Sequence, residues 1–255
     1  MKEQHSQAVV IRVIDHGESD KIVTFYCPEL GRLTGIAKGA KRSKKRFVNK
    51  LELFSRLNIF FAPNRYSSLV RIDRAELINS YSVIPRYYQS YAGAMLICEL
   101  LLNWSRENDG ERELFRLLLW SLEQLDNQQP VNKIIIIFYS RMMDIAGYKP
   151  HFGGCLACGQ LSPDAAPFSF RPGQHGIICC QCSPEKRTAN PLAINTAKLL
   201  QLVPELPLGK VNRLQFSSSS LIEAMMLLKN YNNFLLQREM SSWNFLSITG
   251  GDDDR

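Results

Sequence analysis

The chain has 255 residues, 45% of them hydrophobic, a length that allows two packed domains and a small insertion. The N-terminus lacks a signal-peptide pattern, and the longest apolar run, Ile134 to Tyr139, is too short to span a bilayer. Seven cysteines, an odd number, do not suit a secreted disulfide framework, so we predict a cytoplasmic protein without a membrane partner. The net charge of +7 lies in residues 1–80, with 15 Lys/Arg against 8 Asp/Glu, which favours a polyanionic partner such as nucleic acid.

Residues 1–80 show the pattern of five short strands separated by turns. Apolar and polar residues alternate in "VVIRVI" at residues 9–14 and again in "LVRIDRAEL" at residues 69–77. Gly, Pro, Asn and Ser lie between the strands. This arrangement predicts an N-terminal barrel, for which an SH3-like fold fits almost as well as the oligonucleotide-binding (OB) fold. We favour the OB fold because it combines naturally with a basic loop and aromatic residues.

The segment from Lys38 to Lys50 contains seven lysines and arginines in 13 residues and no acid. One interpretation is a solvated loop, and the other is a clamp on nucleic-acid phosphates between two barrel strands. We predict the clamp, because the segment lies in the part of the chain that holds the excess charge. Its DNA-binding candidates are Lys38, Lys41, Arg42, Lys44, Lys45 and Arg46.

The aromatic residues around this segment are predicted to be mostly core. Most of those in or near strands are expected to pack inside, as aromatic side chains in strands usually do, and any that are exposed would offer stacking surfaces for bases: Tyr26, Phe47, Phe54, Phe60 and Phe61. Tyr66 lies in a polar turn and is predicted to be exposed. Four acids of the barrel, Asp15, Glu18, Asp20 and Glu29, cluster at turns, where turn chemistry and solubility explain them. A Mg²⁺ site of a nuclease is the alternative, although the spacing does not bring these carboxylates together.

From about Pro85 the apolar residues recur with the period of an α-helix. One stripe begins at Tyr88 and Tyr91, a second runs through Leu114 to Leu125, and a third through Ile134 to Ile145. Helical patterning returns in "NTAKLLQLV" and "LIEAMMLLKNYNNFLLQ". We therefore predict an α+β protein with an OB barrel at residues 1–80 and a helical domain at residues 81–255. Residues 150–190 are predicted to be a loop-rich insertion.

Two cysteine pairs, Cys155-x2-Cys158 and Cys179-x2-Cys182, lie in this insertion. Each pair can hold one ion on a tight turn, and four thiolates leave no position for water, which indicates one structural Zn²⁺. A redox dithiol, an iron–sulfur centre and unrelated buried thiols are the alternatives. Cys180 could replace Cys179 as a ligand, and His175 lies close enough in sequence to substitute. Cys27 and Cys98 are predicted to be small buried residues.

Enzymatic motifs are missing from the sequence. It contains no phosphate-binding G-x-x-x-x-G-K-[ST] loop, no G-x-G-x-x-G, no H-E-x-x-H and no G-x-S-x-G. We therefore predict a non-enzymatic protein with no catalytic residues and no small-molecule substrate.

Three stretches carry a resemblance to a known family: "GESDKIVTFYCPELGRLTGIAKGAKRSKKRF", "AGYKPHFGGCLACG" and "FSFRPGQHGIICCQC". Together they resemble the RecO family of bacterial recombination mediators and DNA repair proteins. The second stretch is the most specific, since Gly147-Tyr148 and Pro150 precede Cys155-x2-Cys158-Gly159. The resemblance covers most of the chain in the same order, with barrel, helices, cysteine knuckle and terminal helices.

The resemblance implies a DNA-binding protein that acts on the nucleoid in recombinational repair, the RecFOR pathway. Such proteins bind single- and double-stranded DNA, anneal complementary strands and, with RecR, help RecA replace single-strand-binding protein (SSB). It also implies that SSB's acidic C-terminal tail docks on the helical domain. Zinc would stabilise rather than react, because some family members lack these cysteines. The alternative function is a zinc-containing protein-interaction or transcription-associated module without a single-stranded DNA function.

Overall fold

The computed structural model describes residues 3–43, 45–63, 69–162, 164, 166–183 and 191–248. The chain divides into two compact units, residues 1–127 and 128–255. The predicted boundary near residue 80 falls within the first unit, between its strands and its helices. As a domain boundary it stays a prediction. No helix in the described ranges is both long and apolar enough to cross a bilayer.

Five strands of the first unit form a closed barrel. They are β1 (Gln4–His16), β2 (Asp20–Cys27), β3 (Gly31–Ala37), β4 (Arg56–Ala62) and β5 (Val70–Asn79). Their order around the barrel is β1-β2-β3-β5-β4, and β1 also pairs with β4 to close it. β3 and β5 are parallel, whereas the other neighbours are antiparallel. The α+β class and the OB barrel predicted from the sequence are confirmed.

A bulge in β1 changes the phase of its alternation. Val10 pairs with Phe25 and Arg12 pairs with Thr24, so Ile11 is an extra residue in the strand. Regular alternation would place Val10 and Arg12 on the same face. With the bulge, Val10 lies in the barrel core and Val13 packs against that core. Arg12 is thereby kept out of the apolar interior.

Two helices complete the first unit, α1 (Tyr88–Trp104) and α2 (Arg112–Asp126). The predicted stripe of α2 is buried from Leu114 to Leu125. The stripe of α1 starts later than predicted, because Tyr88 is 64% exposed and Tyr91 37% exposed. Small and aliphatic residues from Ser90 onward form the buried face. Cys27 and Cys98 are buried, as predicted.

The turn between β2 and β3 interlocks with the loop between α1 and α2. Gly31 has a φ of 59°, and a Cβ there would lie 2.5 Å from the carbonyl oxygen of Asp109. A Cβ on Gly110 would lie 2.1 Å from the carbonyl carbon of Glu29. Arg32 donates its backbone N–H to Arg106 O at 3.0 Å. Two glycines are therefore needed for the backbones to meet this closely.

We expect Gly110→Ala to destabilise the first unit by about 1–3 kcal/mol, the usual cost of forcing atoms into a packed site. The added methyl group meets backbone atoms, which cannot rotate away as a side chain could. The free energy of unfolding from urea titration measures the effect. Gly209→Ala is the matched control, because nothing lies within 4 Å of a Cβ at that helical position. Equal stability of the two variants would contradict the close contact between Gly110 and the Glu29 backbone.

The second unit combines helices with a small sheet. Helix α3 (Val131–Ile145) is largely buried, and the residues from Ile134 to Tyr139 are each no more than 2% exposed. The other helices are α4 (Ile194–Glu205), α5 (Leu208–Val211) and α6 (Ser218–Leu236). Four short strands form a sheet in the order β6-β8-β7-β9, with the bounds β6 (His151–Cys155), β7 (Phe168–Arg171), β8 (Gly176–Cys179) and β9 (Pro191–Leu192). The insertion predicted to be loop-rich is thus partly strand, because strands of two to five residues are too short to show alternation.

Candidate metal centre and nucleic-acid interface

The basic segment after β3 is anchored to the barrel by its apolar residues. Ala40, Phe47 and Leu51 belong to the barrel's hydrophobic core. A short 3₁₀ turn at Ala40–Arg42 follows Gly39, whose φ is 68°. Because the apolar residues point inward, the cationic residues between them are left at the surface: Lys38, Lys41, Arg42, Lys45 and Arg46 are all exposed residues. Of the Lys41 side chain itself, 26% is exposed. Lys44 lies outside the described residues.

Asp20 fastens the start of this segment to β2. Its Oδ1 accepts hydrogen bonds from Gly39 N at 2.8 Å and from Ser19 Oγ at 2.9 Å. The backbone N–H of Gly39, and then the Ser19 hydroxyl, lower the pKa of Asp20 from its ordinary value, since both stabilise the carboxylate. Asp20 therefore has a positional role that its location at a turn had not indicated. A deprotonated Asp20 holds the first residues of the segment in place.

Two further acids of the β1–β2 hairpin pair with the segment. Lys41 Nζ lies 3.1 Å from Asp15 Oδ2 and also donates to Gly17 O at 3.1 Å. Arg42 Nη2 lies 3.5 Å from Glu18 Oε2, with 72% and 93% of the two side chains exposed. Such an exposed pair contributes little, so Arg42 can exchange its partner for a phosphate at small cost. Neither pair could be predicted from local sequence patterns, because the partners are more than 20 residues apart.

The remaining candidates differ in how far they are engaged. Arg46 Nη2 donates to Lys38 O at 3.1 Å, and its guanidinium lies 5.1 Å from the ring centroid of Phe47. Among the residues that the structure describes, no ion pair is found for Lys38 or Lys45. These two cations and Arg42 are the most available for phosphate contact. The neighbouring aromatic residues Tyr26, Phe47, Phe54 and Phe61 are buried, as predicted. Phe60 is only half-buried, because it lies on the opposite face of β4 from Ile59 and Phe61. Tyr66 lies outside the described residues.

The cysteine pairs lie at the ends of two parallel strands, β6 and β8. Cys155 ends β6, and Gly159 N donates back to Cys155 O at 2.8 Å, which forms a tight turn. Cys179 ends β8, and its carbonyl oxygen accepts from Cys182 N at 3.2 Å and Ser183 N at 2.9 Å. Adjacent strands that end in matching turns bring the four thiols to one place. Gly159 has a φ of 74°, which suits the first of these turns.

The four sulfur atoms lie close enough together to hold one metal ion. The Sγ atoms of Cys155, Cys158, Cys179 and Cys182 all lie within 4.8 Å of one another. Cys158 Sγ is 3.8 Å from Cys179 Sγ. A Zn–S bond of about 2.3 Å in a regular tetrahedron gives a sulfur–sulfur distance of about 3.8 Å. The residues therefore fit a metal ion held by four thiolates.

The local electrostatics also suit a bound cation. Burial raises the pKa of Cys155, but backbone N–H groups of Cys179, Cys158 and Ala157 outweigh it and lower the pKa to about 6. Cys179 N lies 3.3 Å from Cys155 Sγ. Hydrogen bonds with Cys179 and Cys158 raise the pKa of Cys182 to about 12. Four thiolates this close repel one another, and a divalent cation among them removes that repulsion.

Two alternative ligands lie apart from the cluster. Cys180 is exposed, and its Sγ donates towards Ala166 O at 3.4 Å. His175 Nδ1 is 2.7 Å from the hydroxyl of Tyr231, and that hydroxyl donates to Tyr148 O at 2.9 Å. The imidazole is therefore engaged with α6. Geometry favours Cys179 over Cys180, and the four cysteines over His175.

Comparison with known proteins agrees with this architecture. Residues 1–81 match the family model "Recombination protein O N terminal", and residues 86–244 match "Recombination protein O C terminal". The chain is 30% identical over 244 residues to the DNA repair protein RecO of Syntrophus aciditrophicus, with 94% of each chain covered. It is 32% identical over 247 residues to the DNA repair protein RecO of Geobacter metallireducens, covering 96% of this chain and 98% of that one. The chain therefore belongs to the RecO family of DNA repair and recombination proteins.

Proposed function

We propose that this protein is a recombination mediator that binds single- and double-stranded DNA and anneals complementary strands. The observation that carries the proposal is an OB barrel whose core holds Phe47 and Leu51, so that the cations between and beside them face solvent. The DNA contacts are assigned to Lys38, Lys41, Arg42, Lys44, Lys45 and Arg46. Contacts to phosphates carry no sequence information, so we expect binding to tolerate any sequence.

Annealing in this proposal needs no enzyme chemistry. Two complementary strands repel each other through their phosphates, and cationic side chains reduce that repulsion when they bind the backbones. Base pairing then proceeds downhill without nucleotide hydrolysis. Lys38 and Lys45, together with Arg42, would supply most of the neutralising charge. The ion pair with Asp15 makes Lys41 a positioning residue for the segment as well as a possible phosphate ligand.

We propose one structural Zn²⁺ held by Cys155, Cys158, Cys179 and Cys182. The ion would supply cross-linking of the two knuckles and no reaction, since four thiolates complete its coordination. The residues themselves set the site: the N–H of Cys179 stabilises the Cys155 thiolate, and the turn at Gly159 returns the chain to the strand end. The metal centre is thereby assigned to stability rather than to DNA contact.

The family resemblance supplies the proposed partners. These are RecR, the C-terminal tail of SSB, and RecA as the protein loaded onto gapped DNA on the nucleoid. The positive charge excess in residues 1–80 is consistent with a DNA partner for the barrel, and the balanced charge of residues 81–255 is consistent with protein partners for the helices. The domain division into 1–80 and 81–255 is retained as part of this proposal.

The deciding experiment mixes the purified full-length protein with labelled complementary oligonucleotides, with and without Mg²⁺. In each condition we expect faster annealing than in the matching buffer alone, with the strands intact on a denaturing gel. Strand cleavage that requires Mg²⁺ would show that the protein is a nuclease and not a mediator. Absence of any DNA binding would favour the zinc-containing interaction module. A protein that binds DNA but does not accelerate annealing would contradict the mechanism above.

A further inference from the structure

We propose that a groove on the first unit, distinct from the basic segment, binds a second single strand of nucleic acid. This α2 groove has a volume of about 760 Å³ and lies between the outer face of β1 and β4 and helix α2. The residues that matter here are His5, Gln7, Arg56, Asn58, Arg112 and Arg116. The inference rests on the proposed function, because a protein that pairs two strands has to hold both.

The α2 groove is positively charged. Three guanidinium groups line it, from Arg56, Arg112 and Arg116, against a single carboxylate from Glu29. Glu29 pairs with Arg112 at 3.2 Å, with 53% and 71% of the two side chains exposed, so a phosphate can displace it at little cost. Arg112 and Arg116 are four residues apart on α2 and therefore share one face of the helix. A phosphodiester backbone along that face would meet both cations.

His5 and Phe60, which line the α2 groove, belong to a stack of planar groups that continues to Arg74. His5, Phe60 and Arg74 are direct neighbours across β1, β4 and β5. The rings of His5 and Phe60 are 6.1 Å apart at 29°, and the Arg74 guanidinium lies 3.6 Å from the Phe60 centroid. Phe60 is half-buried, whereas His5 is exposed at the end of the stack. A nucleobase can extend the stack on the free face of the imidazole.

Amide groups favour nucleic acid over an acidic peptide as the occupant. Gln7 and Asn58 are register partners on β1 and β4 and both line the α2 groove. Gln7 Oε1 accepts a hydrogen bond from Arg56 Nη2 at 3.1 Å, which leaves the Gln7 amide N–H groups as donors. With the Asn58 amide they are groups of the kind that bind base edges. An acidic peptide would use the arginines but neither the planar stack nor the amide pair. The combination of all three features therefore indicates a nucleotide strand.

The α2 groove and the basic segment lie at opposite ends of β1. His5 and Gln7 line the groove, whereas Asp15 and Gly17, at the other end of the strand, contact Lys41. Ten residues separate His5 from Asp15, which corresponds to up to about 33 Å of extended chain. Two short strands can therefore bind this unit without competing for the same cations.

The test is a two-strand binding assay with the full-length protein. Two non-complementary oligothymidylates carry a donor and an acceptor dye, and energy transfer reports binding of both to one molecule. We expect Arg112→Gln with Arg116→Gln to weaken capture of the second strand about tenfold, the effect of losing roughly 1.4 kcal/mol of charge-assisted contact. Affinity for the first strand should fall less than in a Lys38→Gln, Arg42→Gln, Lys45→Gln variant. Lys198→Gln with Arg213→Gln, which removes the same charge from exposed positions elsewhere, is the control.

A second variant tests the stack rather than the charge. His5→Ala should reduce the quenching of a fluorescent adenine analogue placed in the second strand, while thermal stability stays unchanged. If the unmodified protein binds a first strand and energy transfer is undiminished in the double arginine variant, the α2 groove is not the second binding site. The proposed function would be unaffected by that result. Failure to bind any oligonucleotide would overturn the proposed function as well. An oligo-aspartate peptide and an oligonucleotide can be compared as competitors, with their concentrations counted in negative charges. If the peptide displaces the second strand at the lower concentration, the α2 groove is a peptide site.

Discussion

Cys179→Ser is expected to lower the free energy of unfolding of the second unit by several kcal/mol and to reduce bound zinc below one ion per chain. A structural zinc site contributes about 10–16 kcal/mol to folding in zinc-finger peptides, and a hydroxyl is a poor substitute for one of four thiolates. Cys179 is also fully buried at the end of β8, so the weakened site cannot rearrange towards solvent. Elemental analysis gives the zinc content, and thermal unfolding with and without a chelator gives the stability.

Cys180→Ser is the matched control for this change. It replaces a thiol one residue away that is exposed and lies outside the cluster. Zinc content and unfolding should be unaffected. Loss of zinc in Cys180→Ser and its retention in Cys179→Ser would reverse the ligand assignment. A metal-free protein that remains folded but no longer binds DNA would show that the metal centre contacts DNA and is not a structural staple.

Replacing Lys38, Arg42 and Lys45 together by Gln should weaken single-stranded DNA binding and flatten its salt dependence. Each phosphate contact on a single strand contributes roughly 0.7 to the slope of log affinity against log salt, so the slope should fall by about 2 in magnitude. The three side chains are exposed, and none of them holds the segment in place as Asp20 and Phe47 do. Fluorescence anisotropy at several salt concentrations measures the slope, and circular dichroism verifies the fold.

The control for the loop variant removes an equal charge from the second unit. Lys198, Lys210 and Arg213 are exposed, and their triple change to Gln leaves the barrel intact. It should shift affinity slightly through net charge while the slope changes by much less than in the loop variant. An unchanged slope in the Lys38, Arg42 and Lys45 variant would exclude the basic segment from the DNA interface, whatever happened to the affinity itself.

Local sequence patterns were sufficient to predict the barrel, the helices and the cysteine cluster. Two C-x2-C pairs need only two turns to define four ligands, and leucine spacing in α2 reports directly on which face is buried. The β1 bulge could not be predicted, because its cause is the pairing of Val10 and Arg12 with β2 residues some 12–15 positions away. The exposed tyrosines of α1 were predicted to be buried, since an aromatic residue at helical spacing looks the same whether or not a neighbour covers it.

Long-range pairing explains why the surface sites were harder to predict than the core. The sequence shows Lys41 as one more cation in a basic run, and only the fold places Asp15 beside it. The α2 groove was missed because Arg56 and Arg116 are 60 residues apart in the chain. One local signal was present: Arg112 and Arg116 occupy the exposed face of a helix whose other face is leucine-rich. Such spacing is common on solvated helices and does not by itself indicate a site.

The close backbone contacts at Gly31 and Gly110 affect how domains can be exchanged between relatives. The N-terminal family match ends at residue 81 and the C-terminal match begins at residue 86. Dividing the chain between these residues is therefore the obvious design. A barrel taken alone would keep all five strands and yet lose Phe115 against Tyr26 and the Leu102 carbonyl that binds Arg32. If the barrel came from a relative, that relative's β2–β3 turn would have to pack against the Asp109–Gly110 backbone of this chain. The family matches and the contacts of the barrel with α1 and α2 thus divide the chain at different residues, and we expect chimaeras joined after residue 127 to keep these contacts.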